Sequence, residues 1–355
     1  MMQEKTRELL QWYEQNRRIL PWREDPSPYH VWLSEIMLQQ TRVEAVKSYY
    51  ERFLKEIPDV ETLAAADEER LLKLWEGLGY YSRIRNMHKA AVIVMKQYAG
   101  RMPETAAELR KLPGIGSYTA CAIASIAYGR KEPAVDGNVL RVWARSEADP
   151  RDIAEEATKK AVHEEMYACL PEAAECGAYN QALMDLGAVV CIPHGVPLCS
   201  LCPWQKRCKA HLEGTETEYP VKKAGKARKT EPRTILILRD RKRIAIHRRP
   251  MRGLLAGMYE YPNLEGSLSE EEVRKWLLKA GVQAIRITPL PPAKHIFTHL
   301  EWHMTGYLVQ VDELSEFQPE TLDAILADTQ QVEEKYPMPG AFRVYRDYVR
   351  NMSEQ

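Results

Sequence analysis

From the N-terminus to about residue 213 the apolar residues recur at helical spacing, as in Leu9-Leu10-Trp12-Tyr13 and Leu71-Leu72-Leu74-Trp75. This pattern predicts an almost entirely helical first half. Within it, Val31 to Thr41 reads as an apolar helix carrying one acid, Glu35. Residues 104 to 111 read as a helix, Leu112-Pro113-Gly114-Ile115-Gly116 as a break and Ser117 to Tyr128 as a second helix. The character changes over 214–232, where Val221 to Lys229 holds five basic residues and no acid, the signature of a linker. Beyond it, Thr234 to Leu238 and Arg243 to His247 read as strands around a charged turn at Asp240 to Lys242. Ser267 to Ala280 reads as a helix, 295–311 as a hairpin and Ala341 to Val349 as a final helix. The expected fold is multidomain, all-α followed by α+β.

A length of 355 residues fits two domains at roughly 150 residues each. Lys plus Arg equals Asp plus Glu at 50 each, so no global positive field marks a nucleic-acid partner, and any such partner must be read from local features. The two longest uncharged runs, 112–129 and 186–205, are broken by Leu112-Pro113-Gly114 and by three prolines, so neither is expected to span a membrane. The start, Met1-Met2-Gln3-Glu4-Lys5, lacks the basic-then-apolar order of a signal peptide. A cytoplasmic location without structural disulfides is expected.

Four of the seven cysteines, Cys191, Cys199, Cys202 and Cys208, follow the spacing C-x7-C-x2-C-x5-C. In a reducing compartment such a group points to a metal. Zinc is a rival, yet zinc sites usually pair two C-x2-C units, and one knot with a distant arm suits a [4Fe-4S] cube better. In the break at 112–116, Gly114 and Gly116 free backbone N–H groups to face an anion at the second helix's N-terminus, although an ordinary helix–turn–helix corner has the same signature. Asp136, in Val135-Asp136-Gly137-Asn138, reads on its own as a helix cap. Glu35 has Val31 and Leu38 on its own face, an environment that favours a protonated carboxyl. Standing alone, it reads as a glutamate at the edge of a core helix.

The stretches Leu20-Pro21-Trp22-Arg23, Ser34 to Thr41, Gly77-Leu78-Gly79-Tyr80-Tyr81, Leu112 to Gly116, Val135 to Asn138 and the four cysteines together resemble the MutY-type adenine DNA glycosylases. These belong to the helix-hairpin-helix, iron-sulfur base-excision superfamily. The resemblance runs from about residue 7 into the second half. It implies a glycosylase domain over 1–213 with a [4Fe-4S] cluster on Cys191, Cys199, Cys202 and Cys208, a basic linker over 214–232, and a Nudix-like α+β domain over 233–355. It implies that Glu35 protonates adenine, that Asp136 stabilises the sugar cation, and that Tyr118 and Asn138 orient them. By the same resemblance Trp22, Arg23 and Gln181 line the adenine pocket, Gln40 and Tyr80 enter the base stack, and Gly114 and Gly116 meet the DNA backbone.

Endonuclease III carries a lysine where this chain has Tyr118, and tyrosine forms no Schiff base, so a monofunctional glycosylase is expected. The implied partner is double-stranded DNA with adenine mispaired with 8-oxoguanine or guanine, bound by a monomer in the cytoplasm at the nucleoid. In the second half, Gly253 to Pro262 resembles a Nudix-type fold, but Lys275, Leu278 and Lys279 stand where three metal-binding glutamates are needed. His295, Phe297, Thr298 and His299 resemble the family's lesion-reading hairpin, with Thr298 where most members have serine; an ordinary hairpin tip is the competing reading. The cysteine loop, 192–198, is one residue longer than in most relatives and contains no lysine or arginine. The basic run Arg239, Arg241, Lys242, Arg243, Arg248, Arg249 and Arg252 reads equally as a phosphate contact or a solvated face. The alternatives are an endonuclease III-like glycosylase-lyase and a catalytically silent lesion-binding protein.

Overall fold

The computed structural model describes residues 2–223, 227–241, 243–314 and 324–353. Lys226, in the predicted linker, and Lys242, in the basic run, lie outside the described residues. The chain divides into two compact units, one of Met1–Ala66 with Ser82–Gly225, the other of Asp67–Tyr81 with Lys226–Gln355. Among the described residues no helix is long and apolar enough to cross a membrane.

The helices of the chain in order are α1 (Met2–Asn16), α2 (Pro28–Leu38), α3 (Val43–Glu56), α4 (Val60–Ala65), α5 (Glu68–Leu74), α6 (Ser82–Gln97), α7 (Ala106–Leu109), α8 (Ser117–Tyr128), α9 (Gly137–Glu147), α10 (Glu156–Cys169), α11 (Ala173–Val189) and α12 (Lys209–Glu213). All but α5 build the first unit. The apolar helices α2, α8 and α11 form its centre: their inward faces leave Trp32, Leu33, Ile123, Leu183 and Leu186 fully or nearly fully buried. Local signals set their ends. Pro28 opens α2 behind Ser27, whose side chain accepts from His30 N, and Gly129 closes α8 in the left-handed conformation. The helix expected over 104–111 shrinks to Ala106–Leu109, capped by Thr105, because the chain is already turning at Arg110 to meet Pro113. At the turn, Gly114 has φ +80°, and a Cβ there would sit 2.7 Å from Cβ of Asn86, so only glycine fits.

The second unit is a seven-stranded sheet in the order β3-β2-β1-β6-β5, with β4 paired to β1 and β7 to β2. The strands are β1 (Lys229–Arg239), β2 (Arg243–Arg248), β3 (Tyr259–Glu260), β4 (Asn263–Glu265), β5 (Ala284–Ile296), β6 (Leu300–Val311) and β7 (Ala324–Asp328). Thr234 to Leu238 is buried on both faces, which explains its unbroken apolar run: Ile235 and Ile237 face one core, Leu236 and Leu238 the other. Helix α13 (Glu270–Lys279) covers the second of these cores, while α14 (Thr329–Glu334) and α15 (Arg343–Ser353) cover the first.

Three expectations shift. Lys229 to Pro232, read as linker, is strand paired in parallel with β6 from Leu300 to His303. The hairpin expected from 295 begins at Ala284, because β5 carries alternating exposed positions that look like loop. Asp67 to Tyr81, placed by sequence in the first domain, groups with the second unit. There Glu69 accepts from the Tyr259 hydroxyl at 2.6 Å, and Glu76 pairs with Arg346.

Candidate active site

One cavity of about 740 Å³ in the first unit gathers eight of the residues singled out above: Trp22, Arg23, Glu35, Gln40, Tyr118, Asp136, Asn138 and Gln181. They come from distant parts of the sequence, and the helices α2, α8, α9 and α11 deliver most of them to one place.

Glu35 lies on α2 and is only 7% exposed. Its Oε2 accepts a hydrogen bond from the Tyr118 hydroxyl at 2.6 Å. Burial lifts its carboxyl to about 7, helped by the negative charge of Asp136 and opposed by the Tyr118 hydrogen bond and Arg23. Glu35 therefore retains a proton in a substantial fraction of molecules at neutral pH, where an ordinary glutamate is ionised. Tyr118 is pushed well up in turn, by burial first and then by Glu35, so it remains a neutral donor.

Asp136 caps α9. Its Oδ1 accepts from Val139 N at 2.7 Å and its Oδ2 from Asn138 Nδ2 at 2.8 Å. Burial raises its carboxyl above the ordinary value, while these donors and Arg141 favour the anion. The cap thus holds rigid a carboxylate that also lines the cavity. Asn138 is fixed from behind. Arg141 Nη2 donates to Asn138 Oδ1 at 2.9 Å and to Gly187 O at 2.7 Å, and Arg141 Nε donates to Cys191 O at 2.9 Å. A Cβ on Gly187 would sit 2.8 Å from that of Asn138, so glycine lets α9 and α11 approach here.

The sequence reading missed Asp185. It is fully buried on α11 and accepts from Arg23 Nη1 and Nη2 at 2.7 and 2.9 Å and from Arg18 Nε at 2.7 Å. Burial pushes its carboxyl up, but Arg23 and Arg18 hold it below the ordinary value. Arg23 is accordingly clamped in the cavity wall rather than free to reorient. A signal was present, since Asp185 is the only charged residue between Cys176 and Cys191. Asp185→Asn removes the anion from between two guanidinium groups, and the loss of a buried pair of this kind costs roughly 3–5 kcal/mol. A lowered thermal unfolding midpoint, measured by calorimetry, is the expected outcome.

Arg83 was also missed, and nothing in its local sequence marks it. Its Nη1 donates to the carbonyls of Ile36, Met37 and Gln39, stitching the end of α2 and holding Gln40 at φ +61°. A non-glycine residue in the left-handed region is uncommon and persists only where its surroundings enforce it.

The other expected residues lie elsewhere. Gly114 and Gly116 form the α7–α8 turn, with open space around Gly116 at the α8 N-terminus. Tyr80 and the lesion-reading candidates belong to the second unit. Tyr80, 49% exposed and at φ +48°, accepts at its hydroxyl from Thr298 Oγ1 at 3.2 Å. Phe297 stacks edge-on between His295 at 4.6 Å and Trp302 at 5.0 Å, which fixes the tip of the β5–β6 hairpin; Thr298 and His299 are exposed there. Burial lowers the His295 imidazole below its ordinary value. Part of the basic run is occupied within the protein: Arg243 pairs with Asp240, Arg249 with Glu260, and Arg248 lies over the Tyr259 ring. Lys275 pairs with Glu271.

Cys191, Cys199, Cys202 and Cys208 line one small cavity with Arg145, whose Nη1 donates to Cys191 Sγ at 3.3 Å. Burial pushes the Cys199 thiol up to about 11, with Glu216 and then the neighbouring cysteines adding to the rise, and Cys202 up to about 12, with the neighbouring cysteines adding. Four converging sulfurs that disfavour one another's anions form a donor set that a metal centre, by supplying positive charge, stabilises. The residues present fit a four-thiolate group.

A family model for HhH-GPD superfamily base excision DNA repair proteins matches residues 33–167, and a NUDIX domain model matches 233–347. The chain is 35% identical to the adenine DNA glycosylase of Mus musculus, covering 86% of this chain and 70% of that one. It is 33% identical to the adenine DNA glycosylase of Buchnera aphidicola subsp. Baizongia pistaciae, covering 87% of both. The chain belongs to the adenine DNA glycosylase family. It is thus a base-excision repair enzyme of a family acting on N-glycosyl bonds of DNA. Among solved structures, the glycosylase resembles a thermostable thymine-DNA glycosylase at a TM-score of 0.54 and 27% identity, over 59% of this chain and 98% of that one. The helix-hairpin-helix glycosylase fold and the Nudix-like α+β fold expected from the sequence are both those of the chain.

Proposed function

We propose that the chain, as a monomer, removes adenine paired with 8-oxoguanine or guanine in duplex DNA, by hydrolysis of the N-glycosidic bond and without strand cleavage. The observation that carries this reading is the buried Glu35, its carboxyl raised by burial, sharing one cavity with the capped carboxylate of Asp136. An everted adenine nucleoside needs both. Glu35 gives its proton to N7 as the C1′–N9 bond breaks, and the bond's electron pair leaves with the neutral base. The anion of Asp136 stabilises the cationic sugar at C1′. Water then adds at C1′, and its proton returns to Glu35. Tyr118 holds the Glu35 carboxyl in place, while Asn138, backed by Arg141, aims Asp136.

No lysine lines the cavity among the described residues, which supports hydrolysis over Schiff-base chemistry. In the second unit, the hydroxyl of Thr298 and the neighbouring Phe297 offer a lesion base a hydrogen-bond partner and an aromatic contact. Cys191, Cys199, Cys202 and Cys208 hold the [4Fe-4S] cluster of this reading, which supplies a rigid cross-link at the end of the helical unit. Through Cys191 O, Arg141 links that loop to Asn138.

The test is single-turnover excision from duplexes carrying adenine opposite 8-oxoguanine, guanine or thymine. Excision confined to the first two, with no adduct trapped by borohydride, is the expected result. Equal excision opposite thymine, or efficient trapping, overturns the reading.

A further inference from the structure

Cys121, Glu132 and His163 converge at a point that neither the Glu35 cavity nor the four-cysteine loop includes. Cys121 is buried on α8, Glu132 lies in the segment between α8 and α9, and His163 is on α10, the last two half-buried. Cys121 Sγ is 3.8 Å from Glu132 Oε2 and 3.8 Å from His163 Nε2, and the three donor atoms all lie within 4.8 Å of one another. Among the described residues neither Glu132 nor His163 forms an ion pair with a charged partner.

As hydrogen bonds these contacts are poor, since sulfur is a weak donor and acceptor. As metal-ligand spacings the two sulfur contacts are close to what a bound ion requires, while Glu132 and His163 stand within 4.8 Å of each other and would close a little on binding. Tetrahedral zinc, bonded at about 2.3 Å to sulfur and about 2.0 Å to nitrogen or oxygen, sets its donors about 3.5 Å apart. The observed separations from sulfur exceed that by a few tenths of an ångström. One thiolate, one imidazole and one carboxylate form a donor set for a borderline-soft cation rather than for magnesium or calcium.

We propose that Cys121, Glu132 and His163 form a zinc site, with water as the fourth ligand. The thiol proton passes to solvent on binding. The site ties α10 to α8 and to the segment that follows it, which are already joined to each other by Arg130 N donating to Ala124 O at 2.9 Å. Helix α8 carries Tyr118, one turn before Cys121. The Glu132 segment leads into Asp136 and is already braced by Asn180, which donates to Glu132 O at 2.8 Å and accepts from Ala134 N at 3.1 Å. A metal here braces the two catalytic supports from behind, whatever base the cavity takes.

The test uses the full chain, incubated with zinc chloride, freed of loose metal by gel filtration and analysed for elements. About one zinc per chain is expected, with replacement by cobalt giving the visible bands of a tetrahedral thiolate site. Cys121→Ser and His163→Gln are each expected to lose that zinc and those bands, and zinc is expected to raise the unfolding temperature of the parent but of neither variant. Wild-type chain that takes up no zinc overturns the proposal. So does zinc retained in both variants, which would place the metal on the four-cysteine loop. If Cys121→Ser fails to fold, His163→Gln decides alone.

Discussion

Glu35→Gln is expected to excise adenine about 10²–10⁴-fold more slowly than wild type under single-turnover conditions, the contribution of a positioned general acid. The amide still accepts the Tyr118 hydrogen bond but has no transferable proton, so substrate binding is expected to survive while chemistry fails. The same variant is expected to be more stable. Burial raises the Glu35 carboxyl from 4.5 to about 7 in the folded chain. The unfolded chain therefore ionises first as pH rises. The stability Glu35 contributes is fully present below pH 4.5 and is lost between 4.5 and about 7. Above that window the wild type bears a penalty of about 3 kcal/mol that glutamine does not. Denaturant titrations of both proteins at pH 5 and pH 8 check this: the gap in stability should widen at the higher pH. An equal gap at both removes the physical basis for a protonated Glu35.

Asp136→Asn is the second large effect. Asparagine is as good a helix cap as aspartate, so α9 should start where it does now and the fold should change little. What goes is the negative charge that, in the mechanism proposed above, faces the sugar cation. Preorganised electrostatic groups of this kind are worth about 10²–10³ in rate, and the variant is expected to lose that much with its circular dichroism unchanged. Full excision by Asp136→Asn assigns the charge no part in the reaction.

The two carboxylates were legible for opposite reasons. Glu35 stood out because an acid in an apolar helix demands an explanation, and burial supplies one. Asp136 reads as a cap and is one, and the same geometry turns its carboxylate into the Glu35 cavity, a placement that the sequence pattern alone does not reveal. Asp185 carries the same signal as Glu35, being the one charge in the apolar stretch between Cys176 and Cys191. Arg83 was beyond reach, because its role depends on backbone carbonyls of α2 that no side-chain pattern announces.

The assignment of Asp67 to Tyr81 to the second unit was hidden in the same way. Helical periodicity reports which face of α5 is apolar, not which core it joins, and the joining contacts, Glu69 with Tyr259 and Glu76 with Arg346, span well over a hundred residues. The Cys121, Glu132 and His163 trio is invisible to spacing rules because its members have no short-range motif. Conversely the apolar run Thr234 to Leu238 announced a strand from its sequence alone, since a segment buried on both faces carries no polar interruption.

If a carboxylic acid kept protonated by burial starts the reaction, single-turnover excision at saturating enzyme must depend on pH. The rate constant is expected to fall as pH rises through the Glu35 value of about 7, tenfold per unit on the far side. A rate that stays level from about pH 6 to about pH 9 contradicts the claim, because no group titrating in that window then supplies the proton.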